Sequence, residues 1–159
     1  MRDLEKLHRA DIGLKALSPS MNDETTAVTA VNQLAAVLSA AARGGDGAAW
    51  MRYRLDGRTV ITPGLTFRRA VEDGFAGLIR FSGDHPRVLA RIVEVIGQLL
   101  PKLPAGDGRE ALRDAARWVE RALADAELAG HERRLVAVRL EALDRQQERA
   151  RVDGPHAMH

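Results

Sequence analysis

The stretch NDETTAVTAVNQLAAVLSAAARGG, residues 22–45, decides what kind of fold this chain adopts. Val28, Val31, Leu34, Ala35, Leu38 and Ala41 recur at three- and four-residue steps, the spacing of one helical face. Ala30, Ala36, Val37 and Ala40 fill half of the positions between them. Asn22 is a good N-cap, and Asp23 and Glu24 put negative charge at the positive end of the helix dipole. Arg43-Gly44-Gly45 stops the run, since glycine suits the left-handed position after a helix. A helix this apolar on most sides is expected at the centre of a core.

Upstream, Leu4, Leu7, Leu14 and Leu17 mark one face of a helix over Arg2–Leu17. Ser18-Pro19 breaks it, because the residue before a proline avoids the α region. Downstream, the period changes. Met51, Tyr53 and Leu55 alternate with Trp50, Arg52 and Arg54, Asp56-Gly57 follows, and Thr59-Val60-Ile61-Thr62 is largely β-branched. This predicts a β-hairpin near 49–62. A lone hairpin is marginal in water, so its apolar face is expected to pack on the helices.

Four more helical patterns follow. Thr66 caps one that carries Phe67, Val71, Phe75 and Leu78, and Ser82-Gly83 ends it. Asp84 is the expected cap of the next, with Pro86 in its first turn and Val88, Leu89, Ile92, Ile96 and Leu99 facing inward. After a loop from Pro101 to Gly108, Leu112, Ala116, Val119 and Leu123 mark a further helix. Beyond Gly130 the last runs from His131 to about Arg149. The fold class is thus mainly α, a bundle of about five to six helices with one inserted β-hairpin. It forms one domain over 1–152, followed by a disordered tail over 153–159.

Bulk properties exclude several function classes. The chain has 159 residues, which suits one domain. It has no cysteine, so disulfides, thiolate metal sites and cysteine nucleophiles are excluded. The formal net charge is +2, a near balance that argues against specific nucleic-acid binding. No stretch reaches about 18 uninterrupted apolar residues, so no membrane span is predicted. As it stands, the chain reads as soluble and cytoplasmic.

Two clusters could carry chemistry. The first is centred on Asp11, which lies on or beside the apolar stripe of its helix, with His8 three residues before it and Lys15 four after. Ser18, Asn22 and Asp23 complete a polar junction between two apolar helices. His8, Asp11, Ser18, Asn22 and Asp23 are therefore candidates for a small-molecule or ion-binding site. The plainer reading makes them an edge ion pair and a set of helix caps. An acid–base role for His8 and Asp11 lacks any nucleophile context, and the sequence leans against an enzyme.

The second cluster is basic. Arg52, Arg54 and Arg58 on the hairpin, with Arg68 and Arg69 beyond it, could contact phosphate groups of RNA or anionic lipids. The plainer reading is a solvated strand face. The five histidines show no zinc spacing, and no phosphate loop or dinucleotide pattern occurs, so neither metal nor cofactor is expected.

The run Asp11–Ala27, DIGLKALSPSMNDETTA, resembles the signature of the domain-of-unknown-function family 2254, which groups predicted bacterial membrane proteins. The likeness extends through the hairpin, the Thr66-Phe67 helix start and the Gly83–Pro86 junction. It implies that this chain corresponds to the soluble part that follows an N-terminal membrane region, as an excised piece or a stand-alone relative. Gly13 stands where alanine is usual, and Glu24 where proline is frequent. The resemblance supplies no activity, cofactor or catalytic residue. It implies an interaction or regulatory domain, with self-association and the family's membrane-embedded region as expected partners, and membrane association when part of a full-length member.

Overall fold

The computed structural model describes residues 23–43, 50–55 and 57–152. The helix expected over 2–17, the Ser18-Pro19 break and the tail 153–159 lie outside the described residues. Helix α1 runs Glu24–Arg43, strands β1 and β2 run Trp50–Leu55 and Arg58–Pro63, and helix α2 runs Phe67–Phe81. Helix α3 spans Pro86–Leu99, and a single 3-10 turn covers Leu100–Lys102. Helices α4 and α5 follow at Asp107–Asp125 and Gly130–Val152.

The cap of α1 is Asp23, one residue later than expected. Its carboxylate accepts the Thr26 N–H at 3.1 Å and also the Thr26 hydroxyl, while its carbonyl accepts the Ala27 N–H. The side chain thus satisfies one of the donors a helix start leaves open, and the carbonyl accepts the first bond of the helix ladder. Helix α1 buries Ala27, Ala30, Val31, Leu38 and Ala42, but exposes Thr25, Thr29, Asn32 and Gln33. It is therefore a flanking helix and not the central one, because its polar quartet needs water.

The centre belongs to α3. Val88, Leu89, Ile92, Val93, Val95, Ile96 and Leu99 are all buried, which covers most of the helix circumference. Helix α3 packs against each of the other four helices. Helix α2 offers Val71, Phe75 and Leu78 to the same core, and α4 packs on it through a face that includes Ala111, Leu112 and Ala115. Helix α5 lies on α3 through Val136, Leu140 and Leu143. At Gly74 of α2 a side chain would come within 2.7 Å of Leu34 on α1, so glycine permits the close approach there.

Local signals explain most boundaries. The Thr66 hydroxyl accepts the Arg69 N–H at 3.2 Å and opens α2 as expected. Buried Ser82 ends it, with its hydroxyl on the Leu78 carbonyl. Asp84 does not cap α3. His85 holds the cap position and makes no side-chain bond there. Instead Glu24 reaches across from α1, and its Oε1 accepts the Arg87 N–H at 3.3 Å. Gly106, at a φ of +148°, makes the turn into α4.

The hairpin forms in the expected place. Leu55 pairs with Arg58 and Trp50 with Pro63 in an antiparallel register, and Gly57 takes a φ of +75° in the connection. Val60 is 40% exposed and Ile61 58% exposed, and no described helix makes an extended contact with either strand. Among the described residues the two strands hold chiefly to each other.

Burial makes these two regions respond differently to truncation. Ile92→Ala, at a fully buried site in α3, is expected to cost about 2–5 kcal/mol. Ile61→Ala on the hairpin should stay within about 0.5 kcal/mol of the parent. Urea unfolding of both variants measures the contrast, and equal losses would place the hairpin in the core.

Candidate functional site

Of the five residues in the first candidate cluster, the described residues include Asp23; His8, Asp11, Ser18 and Asn22 lie outside them. Asp23 acts as the cap of α1. The Thr26 hydroxyl and then the Thr26 N–H hold its carboxyl below the usual carboxylate range. The group is thus a carboxylate already committed to two donors.

Beside that cap lies a groove of about 450 Å³ between α1, α3 and α5. Val28, Ala90 and Leu135 contribute apolar surface to it. Its rim is a chain of charges that crosses all three helices. Arg91 Nε donates to Asn32 Oδ1 at 2.6 Å, and Arg91 Nη1 donates to Glu94 Oε2 at 3.0 Å. Arg139 Nε donates to Glu94 Oε1 at 2.5 Å. At the other end, Arg87 Nη1 lies 3.9 Å from Glu24 Oε2.

Glu94 is the centre of this arrangement. Burial alone would raise its carboxyl, but the Arg139 and Arg91 guanidiniums together outweigh burial and hold it below the ordinary glutamate value. A carboxylate fixed between two guanidiniums is an acceptor and an anchor, poorly suited to move protons near neutral pH. The groove can bind and orient a polar ligand. Among the described residues it holds no nucleophile–base pair, and no group of three His, Asp or Glu side chains is placed to hold a metal ion. Sequence reading missed Glu94 and Arg139. Their 45-residue separation carries no local signal, whereas the i,i+3 spacing of Arg91 and Glu94 could have been noticed.

The basic cluster divides. Arg52, Arg54 and Arg58 are all exposed. The register sets Arg52 opposite Ile61 and Arg54 opposite Thr59, while Arg58 faces Leu55. Alternation along the strands therefore puts Arg52 and Arg54 on one face of the hairpin and Arg58 on the other. Arg68 and Arg69 do not join them. Arg68 lies between Asp107 at 2.5 Å, Asp114 at 3.1 Å and Glu72 at 3.4 Å, and it clasps α2 to α4. Those carboxylates, Asp107 foremost, hold its guanidinium above its ordinary value. Arg69 pairs with Asp73 at 2.7 Å.

Residues 5–98 match the model of a family described as Predicted membrane protein (DUF2254), and the chain belongs to that family. Comparison with curated proteins and with solved structures gives no match. Helix α1, at 20 residues, is long and apolar enough to cross a membrane by length and composition. It meets that measure without an uninterrupted apolar run, because Ala, Val and Leu offset Asn32 and Gln33 over the window.

The lowered Glu94 carboxyl has a consequence for acid stability. Its stabilising contribution is fully present above the ordinary glutamate value of 4.5 and is lost as pH falls through the depressed folded value. The urea midpoint of the parent is expected to drop below about pH 4.5 more steeply than that of Glu94→Gln. The two curves should converge at the acid end. Parallel curves over the whole range would show that the ion pairs contribute nothing to folding.

Proposed function

We propose that this member of the family serves as a non-enzymatic interaction or regulatory domain on the cytoplasmic side of a membrane protein. The observation that carries the reading is the hairpin. It holds exposed Val60 and Ile61 beside exposed Arg52, Arg54 and Arg58, and the described helices leave it largely uncovered. A two-stranded ribbon of this kind gains stability from a partner surface. Apolar side chains mixed with arginine are the composition of an interface. The arginine-rich chain also agrees with a cytoplasmic position, since basic flanks of membrane spans remain on that side.

Light scattering after size exclusion, with co-purification from membranes, tests this reading. The chain is expected to self-associate or to co-purify with the membrane-embedded region of the family. The double variant Val60→Asp, Ile61→Asp should keep the parent's thermal midpoint and lose that association. A strict monomer that also fails to co-purify would overturn the proposal.

A second reading, a small-molecule or ion-binding module at the start of α1, is supported by the groove beside Asp23 and Glu24. Its apolar surface and fixed polar rim are the usual make-up of a ligand pocket. A thermal-shift screen of small polar metabolites addresses it. A stabilising hit that disappears in Arg91→Ala is the expected result, and hits indifferent to Arg91 would exclude the groove.

A further inference from the structure

The turn Leu100–Lys102, the first half of α4 and the last turns of α5 enclose a small cavity of about 70 Å³. Arg109, Arg113 and Arg151 line it with Gln146 and Gln147, against an apolar wall that includes Leu100. No carboxylate lines it. Two of the three guanidiniums are pinned by neutral acceptors. Arg109 Nη2 donates to the Leu100 carbonyl at 3.1 Å, and Arg113 Nε donates to Gln147 Oε1 at 3.1 Å. Neither bond compensates a positive charge. Among the described residues, none of the three arginines pairs with a carboxylate.

One atom makes the case sharper. Arg109 Nε is buried and donates to nothing among the described residues. Buried N–H groups without an acceptor are rare in folded proteins. Arginine stays charged at any accessible pH, so the group cannot escape by losing a proton. Gln147 has turned its carbonyl toward Arg113, which leaves its amide NH₂ as a further donor. Positive charge and spare donors thus converge on one cavity that no carboxylate lines.

We propose that this cavity binds a single phosphate group. Guanidinium forks match phosphate oxygens in geometry as well as charge. The volume is well below that of pockets for drug-sized molecules, which argues for one tetrahedral oxyanion and against a nucleoside. The neighbouring cleft selects further. It shares Arg113, Gln147 and Arg151 with the cavity but adds four acids, Glu110, Asp114, Asp144 and Glu148, against one further cation, Arg117. Those acids repel an extended polyanion such as RNA while leaving a lone phosphate its pocket. The phosphate group can be free inorganic phosphate or the headgroup of a lipid such as phosphatidic acid.

Two measurements on the full chain at constant ionic strength separate these sources. Calorimetry with inorganic phosphate detects the free ion. Co-sedimentation with phosphatidylcholine vesicles, with and without phosphatidic acid, detects the headgroup. Saturable one-site binding in either arm is expected, weakened about tenfold or more by Arg109→Gln and by Arg151→Gln. Arg134→Gln, an exposed position of α5 outside the cavity, should leave it unchanged. If Arg109→Gln fails to fold, Arg151→Gln in the exposed last turn carries the test alone. The proposal is overturned by no binding in both arms, by binding that Arg151→Gln leaves intact, or by an equal loss in Arg134→Gln.

Discussion

Burial of α3 on nearly every side is the constraint on which the rest of the described fold depends. Val88, Leu89, Ile92, Val93, Val95, Ile96 and Leu99 leave little of that helix for water. Its first turn must nevertheless satisfy its N–H groups. Pro86 removes one donor, and His85 offers no side-chain acceptor. The Arg87 N–H is met by Glu24, from a helix 63 residues earlier in the chain. A carboxylate at that end also opposes the positive pole of the helix, typically worth about 0.3–1 kcal/mol. Glu24 stands next to the Asp23 cap, so the start of α1 is tied directly to the core helix.

The polar residues of α3 follow from the same constraint. Arg91 and Glu94 line the groove between α1 and α5, and each finds a partner on a neighbouring helix. Arg68 does the corresponding work between α2 and α4. Single exposed pairs contribute about 0–1 kcal/mol, so these contacts add little to total stability. Their effect is on geometry, because apolar faces rich in alanine can slide and turn with small loss. Ala111, Ala115 and Ala116 on α4 are such a face. A guanidinium held by acids on a second helix fixes both register and rotation.

Helix identity was legible in the sequence, and helix rank was not. The three- and four-residue steps of Phe67, Val71, Phe75 and Leu78, or of Val88, Leu89, Ile92 and Ile96, report one apolar face directly. They say nothing of how many neighbours a helix has. Helix α1 looked central because alanine makes it apolar all round, but alanine buries little area and Asn32 and Gln33 face outward. Caps were legible to within a residue, at Thr66 correctly and at Asp23 in place of Asn22. The cap of α3 was not legible, since its acceptor comes from another helix. The Asp-Gly turn announced the hairpin, yet nothing local revealed that Val60 and Ile61 would remain exposed. The groove rim was illegible for the same reason as the cap, because Glu94 meets Arg139 only after three helices have packed.

Helix α1 is where family membership and the described fold must be reconciled. At 20 residues it spans about 30 Å, the thickness of a bilayer core. In hydrocarbon, Asn32 and Gln33 would need hydrogen-bond partners from other helices. In the described fold they need none, because they face outward, and Asn32 also accepts from Arg91. The apolar face has its own partner in α3, with Ala27, Val31 and Leu38 fully buried. Moving α1 into a bilayer would expose the matching face of α3 and strip Arg87 of Glu24. The same sequence that passes for a membrane span by length therefore packs as a flank of the described bundle.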